Sequence, residues 1–283
     1  MTGPLTGLRV LVPRPASGSA DAEAALRAAG AEPVVVPLVR TEAVDDPTAL
    51  DGAMDALRAG RYAWVAVTSA AAVGALVGRA LETAEPLGTV VGRTKVAAVG
   101  PATARALATV GVTADLVGTS GARALAEAWP LPEAAGARVL FARGDLAGPE
   151  LVDGLRTRGW AVDDVVAYRT VPAGPAPDDV VAAWRDGSIA AALLTSPSTV
   201  RALAARLGPP PGGTLLACIG PTTADATRDA GLPVAVVAPE RTMTALVGAL
   251  ADAVAAAQDG APSAPAAPVG RPQGLDPDPK ETP

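Results

Sequence analysis

The chain has 283 residues, 49% hydrophobic and 18% charged, which is the composition of a globular protein with one large domain or two smaller ones. It has no histidine, one cysteine (Cys218) and no phosphate-loop lysine motif, which excludes histidine-dependent nucleophiles, histidine-ligated metals and intrachain disulfides. The net charge of −6 argues against a nucleic-acid partner.

Short apolar runs alternate with stretches of helical spacing from one end of the chain to the other. The spacing of Val200, Leu203 and Leu207, for example, places these residues on one face of a helix. The runs have the length of buried strands and are Leu8–Val12, Pro33–Val39, Ala63–Val67, Val96–Val99, Ala114–Val117, Arg138–Phe141, Val162–Tyr168, Ala190–Leu194, Leu215–Ile219 and Val234–Val237. This alternation predicts an α/β protein built on parallel sheets.

The two ends of the chain differ from its middle. Residues 261–283 include seven prolines and no cluster of large aliphatic residues, which predicts a disordered tail over 259–283. The N-terminus has no signal-peptide pattern, and no uncharged apolar stretch is long enough for a membrane span. A cytoplasmic protein with no membrane partner is therefore expected.

An internal repeat runs through the sequence. Arg9–Arg14 recurs as Arg138–Arg143, an offset of 138 − 9 = 129. The Thr68-Ser69 pair then recurs at an offset of 127, and the Gly-Pro-x-Thr string that begins at Gly100 recurs at 120. Because the order is kept, we interpret the chain as a duplicated unit of about 125 residues, which predicts two similar lobes.

The repeated turns have two interpretations. Thr68-Ser69, Thr195-Ser196 and the two Gly-Pro-x-Thr turns each come between a predicted strand and a predicted helix. Serine and threonine there are typical helix caps. The same helix starts also offer free N–H groups to an anion, and ligands of parallel sheets bind beyond the carboxyl ends of the strands.

Other side chains also have a structural and a functional interpretation. Arg14 and Arg143 hold matched positions and could fork onto carboxylates, whereas Arg40 and Arg169 are predicted to form surface salt bridges. Tyr168 lies in a predicted strand, where a packed tyrosine with a satisfied hydroxyl is common, but the absence of histidine makes it a candidate for proton chemistry. Cys218 lies in an apolar run and is predicted to be a core thiol.

Six strings in this order resemble the uroporphyrinogen-III synthase family. They are Leu11–Pro15, Trp64–Ala70, Ala98–Ala104, Val166–Thr170, and Leu193–Val200 followed by Cys218–Thr223. The resemblance covers about residues 8–257. It implies two α/β lobes joined by a two-stranded hinge with a ligand cleft between them. The implied boundaries are 1–37 with 173–258 for one lobe, 44–166 for the other, and 38–43 with 167–172 for the hinge.

The resemblance also implies a reaction. Family members cyclise hydroxymethylbilane to uroporphyrinogen III, with loss of water and inversion of the terminal pyrrole ring, in tetrapyrrole biosynthesis. This reaction depends on positioning and charge stabilisation and uses no metal or other cofactor. The implied partner is hydroxymethylbilane itself, which hydroxymethylbilane synthase would hand over, and a monomer is expected.

Site residues follow from the resemblance, position by position. Tyr168 matches a catalytic tyrosine that assists departure of the hydroxyl. Substrate contacts are implied for Arg14, Thr68, Ser69, Ala70, Gly100, Thr103, Arg143, Gly144, Thr195, Ser196, Ser198, Gly220, Thr222 and Thr223. The hydroxyls of the serines and threonines in this set are expected to face the cleft. This chain has Ala71 where the family commonly has asparagine, so a carboxamide contact there is absent.

Two other functions compete with this interpretation. A non-catalytic two-lobed protein that binds a small polyanion could use the same cleft. A two-lobed glycosyl or nucleotide transferase would ordinarily need a glycine-rich diphosphate turn or a histidine or lysine, and the sequence has neither at a suitable place.

Overall fold

The computed structural model describes residues 3–15, 18–119 and 121–258, so the predicted tail at 259–283 lies outside the described residues. Strands and helices alternate as predicted. The strands are β1 (Arg9–Val12), β2 (Glu32–Val35), β3 (Val39–Ala43), β4 (Trp64–Val67), β5 (Lys95–Ala98), β6 (Leu116–Val117), β7 (Arg138–Gly144), β8 (Ala161–Pro172), β9 (Ala191–Leu194), β10 (Leu215–Cys218) and β11 (Val236–Val237).

Helices follow nearly every strand, and most of them bury one apolar face. In α2, for instance, Leu50, Met54 and Leu57 fall on the buried face at helical spacing. The helices are α1 (Ala20–Ala28), α2 (Thr48–Arg58), α3 (Ala70–Glu82), α4 (Leu87–Val91), α5 (Pro101–Thr109), α6 (Ala122–Ala128), α7 (Glu150–Thr157), α8 (Asp178–Arg185), α9 (Pro197–Leu207), α10 (Pro221–Asp229) and α11 (Met243–Gln258).

The strands form two sheets. One has the order β11-β10-β9-β1-β2, and all of its neighbouring pairs are parallel. The other has the order β3-β8-β7-β4-β5-β6 and is parallel except for the antiparallel pair of β3 and β8. The predicted fold class, two similar α/β lobes on parallel sheets, is confirmed.

The sequence repeat and the sheets do not coincide. Strands β1 and β2 correspond through the repeat to β7 and β8, and β9, β10 and β11 correspond to β4, β5 and β6. Corresponding strands hold the same places in the two sheet orders. The five-stranded sheet therefore takes two strands from the first copy of the repeat and three from the second. The six-stranded sheet takes two strands from the second copy and four, including β3, from the first.

The predicted strand Pro33–Val39 is wrong as a single element. β2 ends at Val35 and β3 begins at Val39, and the two strands belong to different sheets. Pro37 lies between them and has no N–H with which to continue a ladder. In contrast, β8 runs unbroken, pairing with β7 up to Tyr168 and with β3 from Tyr168 to Pro172.

Each sheet has its own buried core. Two clusters of buried side chains draw only on residues 50–167 and pack on the six-stranded sheet. Two further clusters draw on residues 5–38 and 180–254 and pack on the five-stranded sheet. Separate cores are typical of separate structural units.

None of the helices within residues 3–258 that the structure describes is both long enough and apolar enough to cross a membrane.

Candidate functional site

A cavity of about 420 Å³ lies beyond the carboxyl ends of β1 and β9, against the ladder of β3 and β8. This is the side of a parallel sheet where ligands bind. Its lining comprises Pro13, Arg14, Pro15, Val39, Arg40, Thr41, Tyr168, Thr170, Thr195, Ser196, Ser198, Thr199, Ile219, Arg241 and Met243. Five of the predicted site residues are brought together here: Arg14, Tyr168, Thr195, Ser196 and Ser198.

The charge of this lining is opposite to that of the whole chain. The lining residues include three arginines (Arg14, Arg40 and Arg241) and no aspartate or glutamate, whereas the net charge of the chain is −6. Hydroxyls of serine, threonine and tyrosine supply the remaining polar groups. The cavity is therefore suited to an anion with several hydrogen-bond acceptors.

Arg14 is a partly buried cation without a partner. It follows β1, and neither a hydrogen bond nor an ion pair links its guanidinium to any residue that the structure describes. Burial lowers the pKa of its guanidinium, and the nearby charge of Asp21 only partly opposes this shift. Because a buried guanidinium is ordinarily paired, Arg14 has its full bidentate capacity available for a carboxylate ligand.

Arg40 and Arg169 form the predicted surface salt bridges. Arg40 Nη2 lies 2.6 Å from Glu42 Oε1, and Arg169 Nη2 lies 2.7 Å from Asp45 Oδ1. Arg40 nevertheless lines the cavity. Its charge there is balanced by Glu42, in contrast to that of Arg14.

Tyr168 connects the cavity to the six-stranded sheet. Its hydroxyl lies 3.0 Å from Ser69 Oγ, and Ser69 Oγ accepts a hydrogen bond from the Ala72 amide at 3.1 Å as the cap of α3. The tyrosine is half-buried and packs at the edge of the core around β8. The hydroxyl therefore has a fixed neighbour while it lines the cavity.

Gly144 makes room for the Tyr168 ring. The register of β7 against β8 shifts here, so that Arg143 opposes Val166 and Gly144 opposes Tyr168. A Cβ on Gly144 would lie 2.6 Å from Tyr168 Cζ and 2.7 Å from its hydroxyl oxygen. A bulge re-aims a side chain in this way. The structure thus places Gly144 beneath the tyrosine ring, and only glycine leaves that space open.

Asp145 stabilises the bulge from the next position. Its amide donates to the Tyr168 carbonyl at 3.1 Å, and its Oδ1 accepts from the Thr170 amide at 2.9 Å. Both bonds join the end of β7 to the part of β8 that carries Tyr168. The backbone around the tyrosine is therefore held on two sides.

Ser196 is the predicted cap of α9 and the centre of a hydroxyl cluster. Its Oγ accepts from the Thr199 amide at 3.2 Å and lies 2.8 Å from Ser198 Oγ and 2.9 Å from Thr199 Oγ1. Pro197 has no N–H, so the Ser198 amide is the first-turn donor without an acceptor among the described residues. Capping is confirmed for Ser69 and Ser196, and α9 keeps one donor for a ligand.

Two of the predicted cleft-facing hydroxyls are buried instead. Thr103 and Thr223 are 5% and 2% exposed. Thr103 lies four residues before the buried Leu107, and Thr223 lies four residues before the buried Thr227. Both threonines therefore lie on the face of their helix that packs against the sheet. The expectation that these two hydroxyls face the cleft is wrong.

The remaining predicted residues do not line the cavity. Gly100 and Gly220 stand in extended conformation before Pro101 and Pro221, each at the start of its helix. The other predicted positions outside the lining are Thr68, Ala70 and Thr222, which lie in the corresponding strand-to-helix turns.

Arg143 already has a carboxylate partner within the chain. Its guanidinium forks onto Asp164, with Nε bonded to Oδ1 and Nη2 3.1 Å from Oδ2. The hydrogen bond and charge of Asp164 raise the pKa of Arg143. The predicted ability to fork onto a carboxylate is therefore met by an internal residue, and Arg143 is not part of the cavity lining.

Ten of the fifteen lining residues were not predicted as site residues, and Thr41, Thr170, Arg241 and Met243 are among them. Thr41 and Thr170 oppose each other in the antiparallel ladder. They are matched positions of the repeat, but nothing in their pattern marked them as site residues. Arg241 and Met243 lie outside the short motifs by which the repeat was recognised, so those motifs did not mark them as site residues.

Cys218 is the predicted core thiol. It is fully buried, and its burial raises the pKa of the thiol. Its Sγ lies 3.4 Å from Thr227 Oγ1. Across the described ranges, no group of three or more metal-ligating side chains is arranged around a common point.

Comparison with known proteins identifies the family. A model described as uroporphyrinogen-III synthase HemD matches residues 20–248. The chain belongs to the uroporphyrinogen-III synthase family. A curated uroporphyrinogen-III synthase from Synechococcus elongatus is 32% identical over 257 residues, which cover 87% of this chain and 96% of that protein.

Solved structures of uroporphyrinogen-III synthases share this fold. A mutant enzyme from Thermus thermophilus matches with a TM-score of 0.58 at 22% identity, covering 88% of this chain and 99% of that one. The enzyme from Helicobacter pylori matches with a TM-score of 0.55 at 16% identity, covering 85% and 97%. The predicted family and the prediction of an enzyme of tetrapyrrole biosynthesis are confirmed, and no observation favours the alternative of a non-catalytic binding protein.

Proposed function

We propose that the arginine-lined cavity is where this uroporphyrinogen-III synthase binds hydroxymethylbilane and closes it to uroporphyrinogen III. The observation that carries the proposal is the lining itself, with three arginines and no carboxylate in a chain of net charge −6. The substrate has eight carboxylates, so it needs a local cationic surface, which this cavity supplies.

The groups of the cavity divide between charge and hydrogen bonding. Arg14 offers an unpaired guanidinium, and the Ser198 amide at the start of α9 offers a free donor in the positive field of the helix. Both lie on the side of the five-stranded sheet. We infer that this side binds substrate carboxylates, whereas Tyr168 approaches from the other sheet.

Tyr168 is the group best placed to act on the leaving hydroxyl. In the reaction, the C–O bond of the terminal hydroxymethyl group breaks, and its oxygen takes up a proton and leaves as water. The resulting cationic carbon forms a new C–C bond with the terminal ring, which loses a proton in return. A hydrogen bond from the Tyr168 hydroxyl to the departing oxygen would favour bond cleavage. Ser69 Oγ, 3.0 Å away, would keep the hydroxyl oriented.

The remaining task is one of geometry. Ring inversion requires that the already substituted carbon of the terminal ring form the new bond first. The older bond from this carbon to its methylene bridge then breaks, and the bridge bonds to the free carbon of the ring, whereas the unaided chain closes to isomer I. Binding the carboxylates at separated points constrains the bent substrate and can favour one carbon over the other. Because the lining comes from both sheets, movement of one sheet against the other would change that constraint.

The domain division proposed is the predicted one, with lobes at 1–37 plus 173–258 and at 44–166 joined by hinge segments 38–43 and 167–172. The ladder of β3 and β8 supports it, because the chain passes between the two sheets next to this ladder. The substrate contacts of the individual side chains, the monomeric state, the cytoplasmic location and transfer of substrate from hydroxymethylbilane synthase stay predictions.

A coupled assay tests the proposed function. Hydroxymethylbilane is generated in place, the full-length chain is added or withheld, and the oxidised uroporphyrin isomers are separated. We expect isomer III to dominate only when the chain is present. Isomer I alone, with the substrate still binding on titration, would favour the polyanion-binding alternative, and isomer I without binding would contradict both.

A further inference from the structure

Arg241 crosses from one half of the molecule to the other. It lies in the loop between β11 and α11, which belong to the five-stranded half. A Cβ on Gly220 would lie 3.6 Å from its Cγ, so the side chain runs over that turn. A Cβ on Gly121 would lie 3.1 Å from its Nη1, and Gly121 precedes α6 in the six-stranded half.

The internal repeat explains why these two positions meet. Arg241 and Gly121 are related by the offset that relates Gly220 to Gly100, since 241 − 121 = 120 and 220 − 100 = 120. The same offset relates β11 to β6. Residues at equivalent positions of two similar halves come together where the halves face each other. Where the halves face each other, the five-stranded half supplies the long cationic side chain of Arg241, and the six-stranded half supplies Gly121, which leaves room for it.

The guanidinium of Arg241 is not neutralised there. It is exposed and lines the cavity, and no hydrogen bond or ion pair joins it to any residue in the described part of the chain. A second arginine between the halves behaves differently, because Arg105 Nη2 lies 3.8 Å from Asp21 Oδ2. Arg105 therefore meets a carboxylate of the protein, whereas Arg241 has its donors available.

We propose that Arg241 binds a carboxylate of the substrate and so determines affinity when the two halves enclose it. This inference rests on the proposed function of the cavity. Arg241 and Arg14 are two guanidiniums without an internal partner at the same cavity. A flexible substrate held at two fixed points is constrained more than one held at a single point. Because Arg241 lies against Gly121, the contact forms only where both halves approach the ligand.

Three variants test the proposal by the coupled assay. R241Q removes the charge, and we expect KM for hydroxymethylbilane to rise about tenfold with kcat within about twofold, as for loss of one charge-assisted hydrogen bond. R241K keeps the charge but cannot make a bidentate contact, and its KM should lie between those of the wild type and R241Q. R105Q is the matched control, since it removes an arginine between the halves that lies outside the cavity lining, and its KM should stay within about twofold.

Salt gives a readout that a purely structural role would not change. We expect KM of the wild type to rise with NaCl more steeply than KM of R241Q, because one screened ion pair is missing in the variant. A KM for R241Q within about twofold of wild type, or an equal rise for R105Q, would overturn the inference. If wild-type protein forms no isomer III, the proposed function itself fails, which the wild-type arm shows separately.

Discussion

Arg14 and Arg143 hold equivalent positions in the two sheets but have opposite surroundings. In the five-stranded sheet Val12 opposes Val35, and in the six-stranded sheet the equivalent pair is Phe141 opposite Asp164. Asp164 accepts a bidentate contact from Arg143, whereas Val35 has no acceptor for the guanidinium of Arg14. One residue in a duplicated framework thus decides whether an arginine is part of the structure or is available to a ligand.

The two copies differ in the same way around the proposed chemistry. Tyr168 stands where the other copy has Val39, and Gly144, which makes room for its ring, stands where the other copy has Pro15. The hydroxyl and its space therefore occur together in one copy only. Duplication supplied a symmetric framework, and substitutions at matched positions made one half anion-binding and gave the other the tyrosine.

Removing the Tyr168 hydroxyl should have the largest effect. We expect Tyr168→Phe to lower kcat about 100-fold, because a positioned acid–base group typically contributes this much, and to leave KM nearly unchanged. Steady-state kinetics in the coupled assay measure both. Tyr62→Phe is the control, since Tyr62 bonds to Asp163 at 2.6 Å away from the cavity lining. A kcat for Tyr168→Phe within about threefold of wild type would mean that the hydroxyl only packs.

Giving Arg14 the partner that Arg143 has should have the next largest effect. In Val35→Asp the new carboxylate stands at the position equivalent to that of Asp164. We expect KM to rise about tenfold, because this carboxylate competes with the substrate for Arg14. Val35→Asn is the control, because it has similar size and polarity without the charge. Equal KM values for the two variants would show that Arg14 does not bind a carboxylate of the substrate.

Filling the space beneath Tyr168 should have the smallest effect. The Cβ of Gly144→Ala overlaps the ring, so we expect a loss of about 1–3 kcal/mol in unfolding free energy and a fall in kcat of several-fold. Gly154→Ala is the control, because its Cβ would lie 2.6 Å from Ala126 Cβ, away from the cavity lining. If Gly144 acts through the hydroxyl, Gly144→Ala should cause no further fall in kcat on a Tyr168→Phe background, and additive losses would contradict this.

Local patterns in the sequence determined much of this protein. The apolar runs and helical spacing predicted nearly every strand, because burial on both faces of a parallel sheet requires continuous apolar residues. Ser69 and Ser196 were predicted as helix caps, since capping depends on neighbours three residues away. The duplication and the family could be read from the order of short motifs.

Tertiary structure alone decided which residues form the site. Pro33–Val39 divides between two sheets, and Arg241 meets Gly121 across 120 positions, because strand pairing and lobe packing bring distant segments together. Likewise, Arg143 is paired and Arg14 is not, because strand pairing brings Asp164 within reach of Arg143 and places Val35 at the equivalent position near Arg14. Spacing along the chain specifies elements and caps, but the partner of a charged side chain is specified only by what folding places beside it.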